Sequence, residues 1–522
     1  MLKMVDGALL LVDAQEGPMP QTYYVLKKAF ALDLPVIVVI NKIDKPDARS
    51  AWVHDQVLEL FMKLDHTGRS LDSPVLYASA RDGVAVREPD AKGTDIQPLF
   101  EEIVRSIPAP EGDPAAPLQL LVSSLSYSSF LGRLAIGKIT SGTALVNKDV
   151  VSCRGETITA ATRITKIYRF EGTKMVQIDR AEPGEIVALA GCEEVTIGET
   201  VTDPASPLPL PFVAMDPPTI SMNFIPNDSP FAGRSGKFVT SEHLRERLER
   251  EMLNDVALKV EPMANGVGFK VSGRGELHLS ILIEKMRREG YELQVTRPEV
   301  IYKKENGVLL EPYEELTIDV DENYLGGIIG RLGTRKGQLQ DMQHHNGTVR
   351  IVYKIPTRGL LGFRTEFLTE SRGMGTMNYL FLEFDKYAGE IKNRKNGVLI
   401  CMEECVSTAY ALFNLQDRGK LIIGPQTKLY QGQIVGEHSR ENDLVVNPGR
   451  GKKLTNIRAA GSDENIILTP PREMTLEDCI AFINDDELVE VTPDAIRLRK
   501  VVLSESARKG ARNEAKRTVG AA

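Results

Sequence analysis

The chain has 522 residues, of which 42% are hydrophobic and 26% are charged, and its formal net charge is −8. This length exceeds what one hydrophobic core supports, so about three to five domains are expected. No apolar run is long enough to span a bilayer and no signal peptide opens the chain, which predicts a cytoplasmic protein without a membrane partner. Among the five cysteines only Cys401 and Cys405 are close in sequence, with no histidine nearby, so neither a disulfide framework nor a metal site is predicted.

The first 110 residues alternate between apolar strands and amphipathic helices. Strands are predicted at 7–13, 35–40 and 74–80, and helices at 19–32, around 53–61 and at 96–107. This β-α-β-α-β-α order is typical of half of a doubly wound parallel sheet. Ligands of such sheets bind beyond the carboxyl ends of the strands, so the residues that follow each strand are candidate ligand contacts.

Two of these strand ends carry polar or small residues that suit a guanine base. Asn41, Lys42 and Asp44 follow the second strand, and Ser79 and Ala80 follow the third. A carboxylate accepts both edge hydrogens of guanine, an amide pairs with its acceptor atoms, and a lysine stem lies along the base. A small residue at the third strand end lets a backbone N–H approach a base oxygen. A chance Asn-Lys-x-Asp tetrapeptide is the alternative, and the second strand end argues against it.

Four more domains are predicted after residue 110. Short strands broken by glycines over 115–210 predict a β-barrel. Residues 216–300 and 311–390 each show the β-α-β-β-α-β order of a ferredoxin-like module, and 391–522 is predicted to be β-rich with a basic tail. His278 opens a helix in the first module, where a packing or hydrogen-bonding role is favoured over catalysis, so no catalytic residue is assigned.

Arginines and lysines flanked by glycines are concentrated in the last two predicted domains. They suit loop tips, where the backbone comes close to phosphate oxygens and a guanidinium bridges two of them. Few aromatic residues accompany them, which favours recognition of RNA shape and phosphates over base stacking. Solvated loops remain an alternative. The stretches that show this pattern or a similar polar, basic one are 330–336, 356–364, 414–421 and 447–459.

Seven stretches carry a resemblance to a known family. They are VDAQEGPMPQT (12–22), NKIDKPDAR (41–49), SPFAGRSGKFVTS (229–241), SGRGELHLSILIE (272–284), PTRGLLGFR (356–364), FNLQDRGKL (413–421) and GKKLTNIRA (451–459). With the domain order, they make the chain resemble the BipA (TypA) family of translational GTPases, which is related to elongation factor G.

The resemblance implies both an activity and partners. It implies a GTP hydrolase that binds GTP with Mg²⁺ and whose guanine contacts are Asn41, Lys42, Asp44, Ser79 and Ala80. It also implies a monomeric factor that binds the 70S ribosome or the 50S subunit and acts in large-subunit assembly and in stress or cold adaptation. Contacts with rRNA and tRNA are expected mainly from its two C-terminal domains, and the candidate RNA contacts there are Arg358, Arg364, Arg418, Lys452, Lys453 and Arg458.

Three segments of the family pattern do not occur in the sequence. They are the phosphate loop G-x-x-x-x-G-K-[ST], the switch threonine, and the Asp-x-x-Gly segment of the form Asp-Thr-Pro-Gly-His. We therefore expect the chain to lack the N-terminal part of the GTPase domain, and the polypeptide as given to neither bind GTP tightly nor hydrolyse it. Two functions stay open: a ribosome-dependent GTPase, or a nucleotide-inactive fragment that keeps its ribosome- and RNA-binding surfaces.

The expected fold class is multidomain α/β and α+β. It combines a partial P-loop-type GTPase sheet (1–110), a translation-factor β-barrel (115–210), two ferredoxin-like modules (216–300 and 311–390) and a β-rich C-terminal domain (391–522).

Overall fold

The computed structural model describes residues 2–64, 72–128, 130–211, 217–264, 266–345, 347–391, 394–451 and 467–510. No helix within these ranges is long and apolar enough to cross a membrane.

The N-terminal region forms a four-stranded sheet with helices on both faces. A 3-10 turn at Leu2–Met4 precedes strands Ala8–Asp13 (β1), Val36–Asn41 (β2), Val75–Ser79 (β3) and Val84–Val86 (β4), and the helices are Pro20–Phe30 (α1), Ser50–Leu64 (α2) and Gln97–Ser106 (α3). The sheet order is β1-β2-β3-β4, with the first three strands parallel and β4 antiparallel.

Strand β2 is the centre of this sheet. Its residues Val36 to Ile40 are all buried, because Val36, Val38 and Ile40 pack under α1 and α2 while Ile37 and Val39 pack under α3. The predicted strands and helices are confirmed to within a few residues, and the short strand β4 was not predicted. Leu11 on β1 is 63% exposed, so the outer strand of the described sheet is covered on one face only.

The second region contains an eight-stranded antiparallel sheet and a two-stranded sheet, and its core includes Leu120, Ile139 and Val187. Its strands are Gln119–Ser128 (β5), Gly132–Ser141 (β6), Ala144–Leu145 (β7), Asp149–Arg154 (β8), Thr157–Arg163 (β9), Lys166–Glu171 (β10), Lys174–Ile178 (β11), Arg180–Ala181 (β12), Ile186–Ala190 (β13) and Thr200–Thr202 (β14). The order is β11-β10-β13-β6-β5-β14-β8-β9, and β7 pairs with β12. Gly137 is required in β6 because a Cβ there would lie 2.2 Å from the carbonyl oxygen of Leu121.

The third region has the predicted β-α-β-β-α-β order. Its elements are Ile220–Pro226 (β15), Ser241–Asn254 (α4), Lys259–Pro262 (β16), Phe269–Gly273 (β17), Glu276–Arg288 (α5), Leu293–Val295 (β18) and Glu299–Val300 (β19). Strands pair in the order β16-β17-β15-β18. His278 Nε2 lies 2.5 Å from Asp255 Oδ2, and His278 Nδ1 accepts the backbone N–H of Arg274 at 3.3 Å, which agrees with the predicted hydrogen-bonding role.

The fourth region repeats this architecture. Its elements are Lys303–Glu305 (β20), Val308–Asp321 (β21), Glu322–Thr334 (α6), Gln338–His345 (β22), Thr348–Pro356 (β23), Thr357–Leu360 (α7), Phe363–Glu370 (α8) and Thr376–Lys386 (β24). The strand order is β22-β23-β21-β24. The prediction that the glycine-flanked arginines lie at loop tips is wrong for three of them, because Arg331 lies in α6, Arg358 in α7 and Arg364 in α8.

The last region combines a small mixed sheet with a hairpin that joins the third region. Its elements are Val398–Cys401 (β25), Cys405–Val406 (β26), Ala409–Leu415 (α9), a 3-10 turn Gln416–Arg418, Gly419–Leu421 (β27), Lys428–Leu429 (β28), Ile434–His438 (β29), Leu444–Val446 (β30), Leu476–Phe482 (α10), Glu487–Val491 (β31) and Ile496–Lys500 (β32). Strand β31 pairs with β18, so the β31–β32 hairpin extends the sheet of the third region. This pairing was not predicted from the sequence.

Candidate nucleotide and RNA sites

The carboxyl ends of the three parallel strands lie side by side at one edge of the N-terminal sheet. Asp13 at the end of β1 pairs in register with Asn41 at the end of β2, and Asn41 pairs with Ala78 on β3. The apolar residues before these positions are buried, so each strand holds its polar end residue at the sheet edge.

The five residues predicted to bind guanine are brought together by hydrogen bonds. Asn41 Oδ1 accepts the backbone N–H of Ala80 at 3.0 Å and that of Lys42 at 2.8 Å. Ser79 is buried, and its Oγ lies 3.0 Å from Asp44 Oδ1 and 2.7 Å from Asp82 Oδ2. Lys42 has a positive φ of 70°, in the left-handed region that few non-glycine residues adopt. The turn after β2 is therefore tied to the turn after β3.

Lys42 is held by an ion pair with Asp13. Lys42 Nζ lies 2.7 Å from Asp13 Oδ2, and Lys45 Nζ lies 3.4 Å from the same oxygen. Burial of the Asp13 carboxylate tends to raise its pKa. The hydrogen bonds from Lys42 and from the backbone N–H of Gln15, with the charges of Lys42 and Lys45, outweigh burial and lower the pKa of Asp13 to about 2. Asp13 therefore stays ionised at neutral pH and orients the lysine stem.

Sequence reasoning missed Asp13, Lys45 and Asp82 as parts of this cluster. Asp13 ends a predicted strand at the same sheet edge as Asn41, so the rule that selected Asn41 also selects Asp13. Asp82 lies three residues beyond Ser79 in a turn, where the sequence gives no signal for its contact with the serine hydroxyl.

The cluster leaves polar groups available for a ligand. Asn41 Nδ2 donates to no described residue, while Asp44 pairs only loosely with Arg81, at 3.9 Å between Arg81 Nη1 and Asp44 Oδ2. An amide donor beside a carboxylate matches a base that presents acceptors next to N–H donors, as guanine does. Within the described residues, no group of three His, Cys, Asp or Glu side chains is arranged to hold a metal ion.

Arg358, a predicted RNA contact, is committed to an internal ion pair. Its side chain is 12% exposed and pairs with the fully buried Glu311, with 3.0 Å between Arg358 Nη2 and Glu311 Oε1. Its guanidinium also bonds to the carbonyl oxygen of Gly389 and stacks on Tyr387 at 4.4 Å. These contacts give Arg358 a structural role, and they leave few of its guanidinium N–H groups to bind a phosphate.

The other predicted RNA contacts are placed differently. Arg364 on α8 and Arg418 in the 3-10 turn after α9 are exposed, which suits contact with a partner. Lys452, Lys453 and Arg458 lie outside the described residues.

Comparison with protein-family models divides the chain into known parts. Models described as the elongation factor Tu GTP binding domain, elongation factor G domain 2, the elongation factor G C-terminus and the TypA/BipA C-terminal domain match residues 1–109, 117–204, 308–395 and 396–505. The chain thus has a multidomain fold like that of elongation factor G. Because a GTP binding domain model matches residues 1–109, the expectation that part of this domain is missing is not supported.

Curated relatives match nearly the whole chain. The Escherichia coli K12 protein named large ribosomal subunit assembly factor BipA is 48% identical over 98% of this chain and 84% of its own length. Proteins of the same name from Bacillus subtilis and Haemophilus influenzae are 45% and 49% identical over 99% and 98% of this chain, and over 85% and 83% of their own lengths. The chain therefore belongs to the BipA (TypA) family of translational GTPases.

Proposed function

We propose that this protein is a ribosome-associated GTPase that acts in assembly of the large ribosomal subunit. The observation that carries the proposal is the 48% identity, over 98% of the chain, to a protein named for that role. We further propose that the protein is a monomer that works in the cytoplasm. It contacts the 50S subunit or the 70S ribosome, including rRNA and tRNA.

The guanine-binding part of the proposal assigns the base to the edge of the N-terminal sheet. Asn41, Lys42, Asp44, Ser79 and Ala80 are its contacts, supported by the hydrogen bonds that join the two turns. The ion pair between Asp13 and Lys42 supports the proposal that the lysine stem lies along the base. In this interpretation, the sheet edge is the part of a P-loop-type nucleotide site that binds the base.

The RNA-binding part assigns phosphate contacts to the exposed Arg364 and Arg418, with Lys452, Lys453 and Arg458 as further contacts outside the described residues. Arg358 supports this surface through its pair with Glu311 and is not assigned a phosphate.

Sedimentation with purified 50S subunits over a salt series tests the proposed partner. Binding driven by phosphate contacts should weaken linearly on a log–log plot against salt. Absence of salt-sensitive co-sedimentation would contradict the proposal.

A narrower proposal concerns the 522-residue polypeptide itself: alone, it does not hold GTP tightly. In the family pattern the phosphate loop and magnesium contacts supply the charge that matches a triphosphate, and the sequence contains no phosphate-loop motif. Calorimetry with GTP and Mg²⁺ tests this, and stoichiometric binding that depends on magnesium would overturn it. The nucleotide-inactive reading of the function would then fall as well.

A further inference from the structure

An open cleft of about 590 Å³ lies between three regions of the molecule. It is bounded by the start of α5, by α8 and by the start of α10. Leu277 and Leu368, which are 45% and 41% exposed, line it, and Ile281, one turn beyond Leu277 on α5, is 47% exposed. The described surface therefore presents an apolar rim around this cleft.

The polar lining of the cleft is mainly acidic. Glu276, Glu477 and Asp478 contribute three carboxylates against one cation, Arg364. Asp478 already accepts from Thr365 Oγ1 at 2.9 Å and from Thr475. Glu276 accepts only the backbone N–H of Gly362, at a long 3.3 Å, and neither Glu276 nor Glu477 has an ion-pair partner within the described ranges. Two carboxylates thus line the cleft without an ion-pair partner among the described residues.

We propose that this cleft binds a lysine side chain carried by an apolar, basic segment of a partner protein. The apolar walls match the aliphatic stem of lysine, and the carboxylates match its ammonium group. The exposed leucines and isoleucine match apolar residues that flank the lysine. An RNA strand is disfavoured here, because its phosphates would face the carboxylates.

The proton equilibrium of Glu276 provides a signature of this binding. Burial is the main cause that raises the pKa of Glu276 to about 7, and the charge of Glu477 acts in the same direction, while the N–H of Gly362 and the charge of Arg335 oppose the shift. Asp478 from α10, Arg364 from α8 and Tyr379 from β24 also face this region. A bound ammonium favours the ionised carboxylate, so affinity should rise between pH 6 and pH 8.

The test uses the full chain and a fluorescein-labelled helical peptide with leucines four residues apart and one central lysine. A matched peptide carries norleucine in place of the lysine. Fluorescence anisotropy should show about tenfold tighter binding of the lysine peptide, the equivalent of one charged contact. Glu276→Gln, which keeps an acceptor for Gly362, should abolish that preference and its pH dependence, and Glu473→Gln, which changes an exposed charge outside the cleft, should not.

Equal binding of the two peptides, no binding of either, or an unchanged preference in Glu276→Gln would overturn the proposal. Glu477→Gln provides a second variant at an exposed position, where folding is not at risk. Displacement of the peptide by an RNA oligonucleotide at similar concentration would also count against it. The inference does not depend on ribosome binding, because co-sedimentation with 50S subunits is measured separately and can succeed or fail on its own.

Discussion

The N-terminal sheet and the C-terminal hairpin are attached to the rest of the molecule by different means. The hairpin shares a sheet with the third region through the β18–β31 pairing. The N-terminal sheet instead contacts its neighbours through side chains. The Cζ atom of Arg350 lies 5.2 Å from the centre of the Tyr23 ring, and Lys138 forms an ion pair with Asp6. A shared sheet makes two regions one cooperative unit, whereas side-chain contacts leave them separable.

Buried polar groups reinforce the shared sheet. Glu490 on β31 is fully buried and accepts from Tyr430 at 2.5 Å, Ser229 at 2.9 Å and Arg497 at 3.0 Å. Glu292, just before β18, is also fully buried and accepts three backbone N–H groups of the loop between β15 and α4. Burying a carboxylate costs free energy unless the carboxylate is fully paired. Both carboxylates must therefore keep these partners for the β18–β31 pairing to form.

The largest expected effect follows from breaking this pairing. Glu490→Ala leaves Arg497 and two hydroxyl groups without their partner, which should lower the free energy of unfolding by about 3–5 kcal/mol. Urea unfolding can separate the two regions, because the single tryptophan, Trp52, lies in α2 of the N-terminal sheet. The far-UV circular dichroism transition should move to lower urea while the Trp52 fluorescence transition stays in place.

Asp149→Ala is the control, because its pair with Arg163 is exposed and should contribute nothing measurable. If Glu490→Ala moves both transitions together, the N-terminal sheet unfolds as one unit with the rest of the molecule, which would contradict their separability.

A second large effect is expected within the fourth region. Arg358→Ala leaves the fully buried Glu311 without its cation, so the free energy of unfolding should fall by about 3 kcal/mol. Circular dichroism in urea measures this loss. Arg364→Ala removes the same charge from an exposed position and should leave the transition unchanged. An Arg358→Ala protein of normal stability that binds 50S subunits more weakly would instead restore the predicted RNA role of Arg358.

The contrast between these arginines shows how far sequence reasoning reached. The clustering of the five candidate guanine contacts was predictable, because apolar strands and the polar residues after them are adjacent in sequence, and parallel strands end at one edge. The partner of Arg358 was not, because a glycine-flanked arginine carries no information about Glu311, which is 47 residues away. The β18–β31 pairing was missed for a similar reason, since alternation predicts which face of a strand is buried and not which strand lies beside it.

A smaller effect is expected on the stability of the N-terminal sheet, and it depends on pH. The pKa of Asp13 is about 2 in the folded protein and 3.8 when unperturbed, so its ionised form stabilises the fold above pH 4 and this contribution is lost as the pH falls towards 2. Because Lys42 is 52% exposed, solvent screens the pair and we expect about 1 kcal/mol. Asp13→Asn should lower the Trp52 transition at pH 7 and match the wild type near pH 2. A difference that persists at pH 2 would assign the effect to packing.

The smallest expected effect involves no change in stability. If Arg364 and Arg418 each neutralise one phosphate, replacing either with alanine should weaken 50S binding several-fold and reduce the salt slope by about 0.9. Lys92→Ala, an exposed charge change in the loop between β4 and α3, should leave both quantities unchanged. Because Arg364 also lines the acidic cleft, its loss should strengthen binding of the lysine peptide while it weakens binding of the subunit. Opposite changes in these two affinities would place the RNA surface and the cleft side by side on α8, whereas a change in only one affinity would mean that Arg364 serves only one partner.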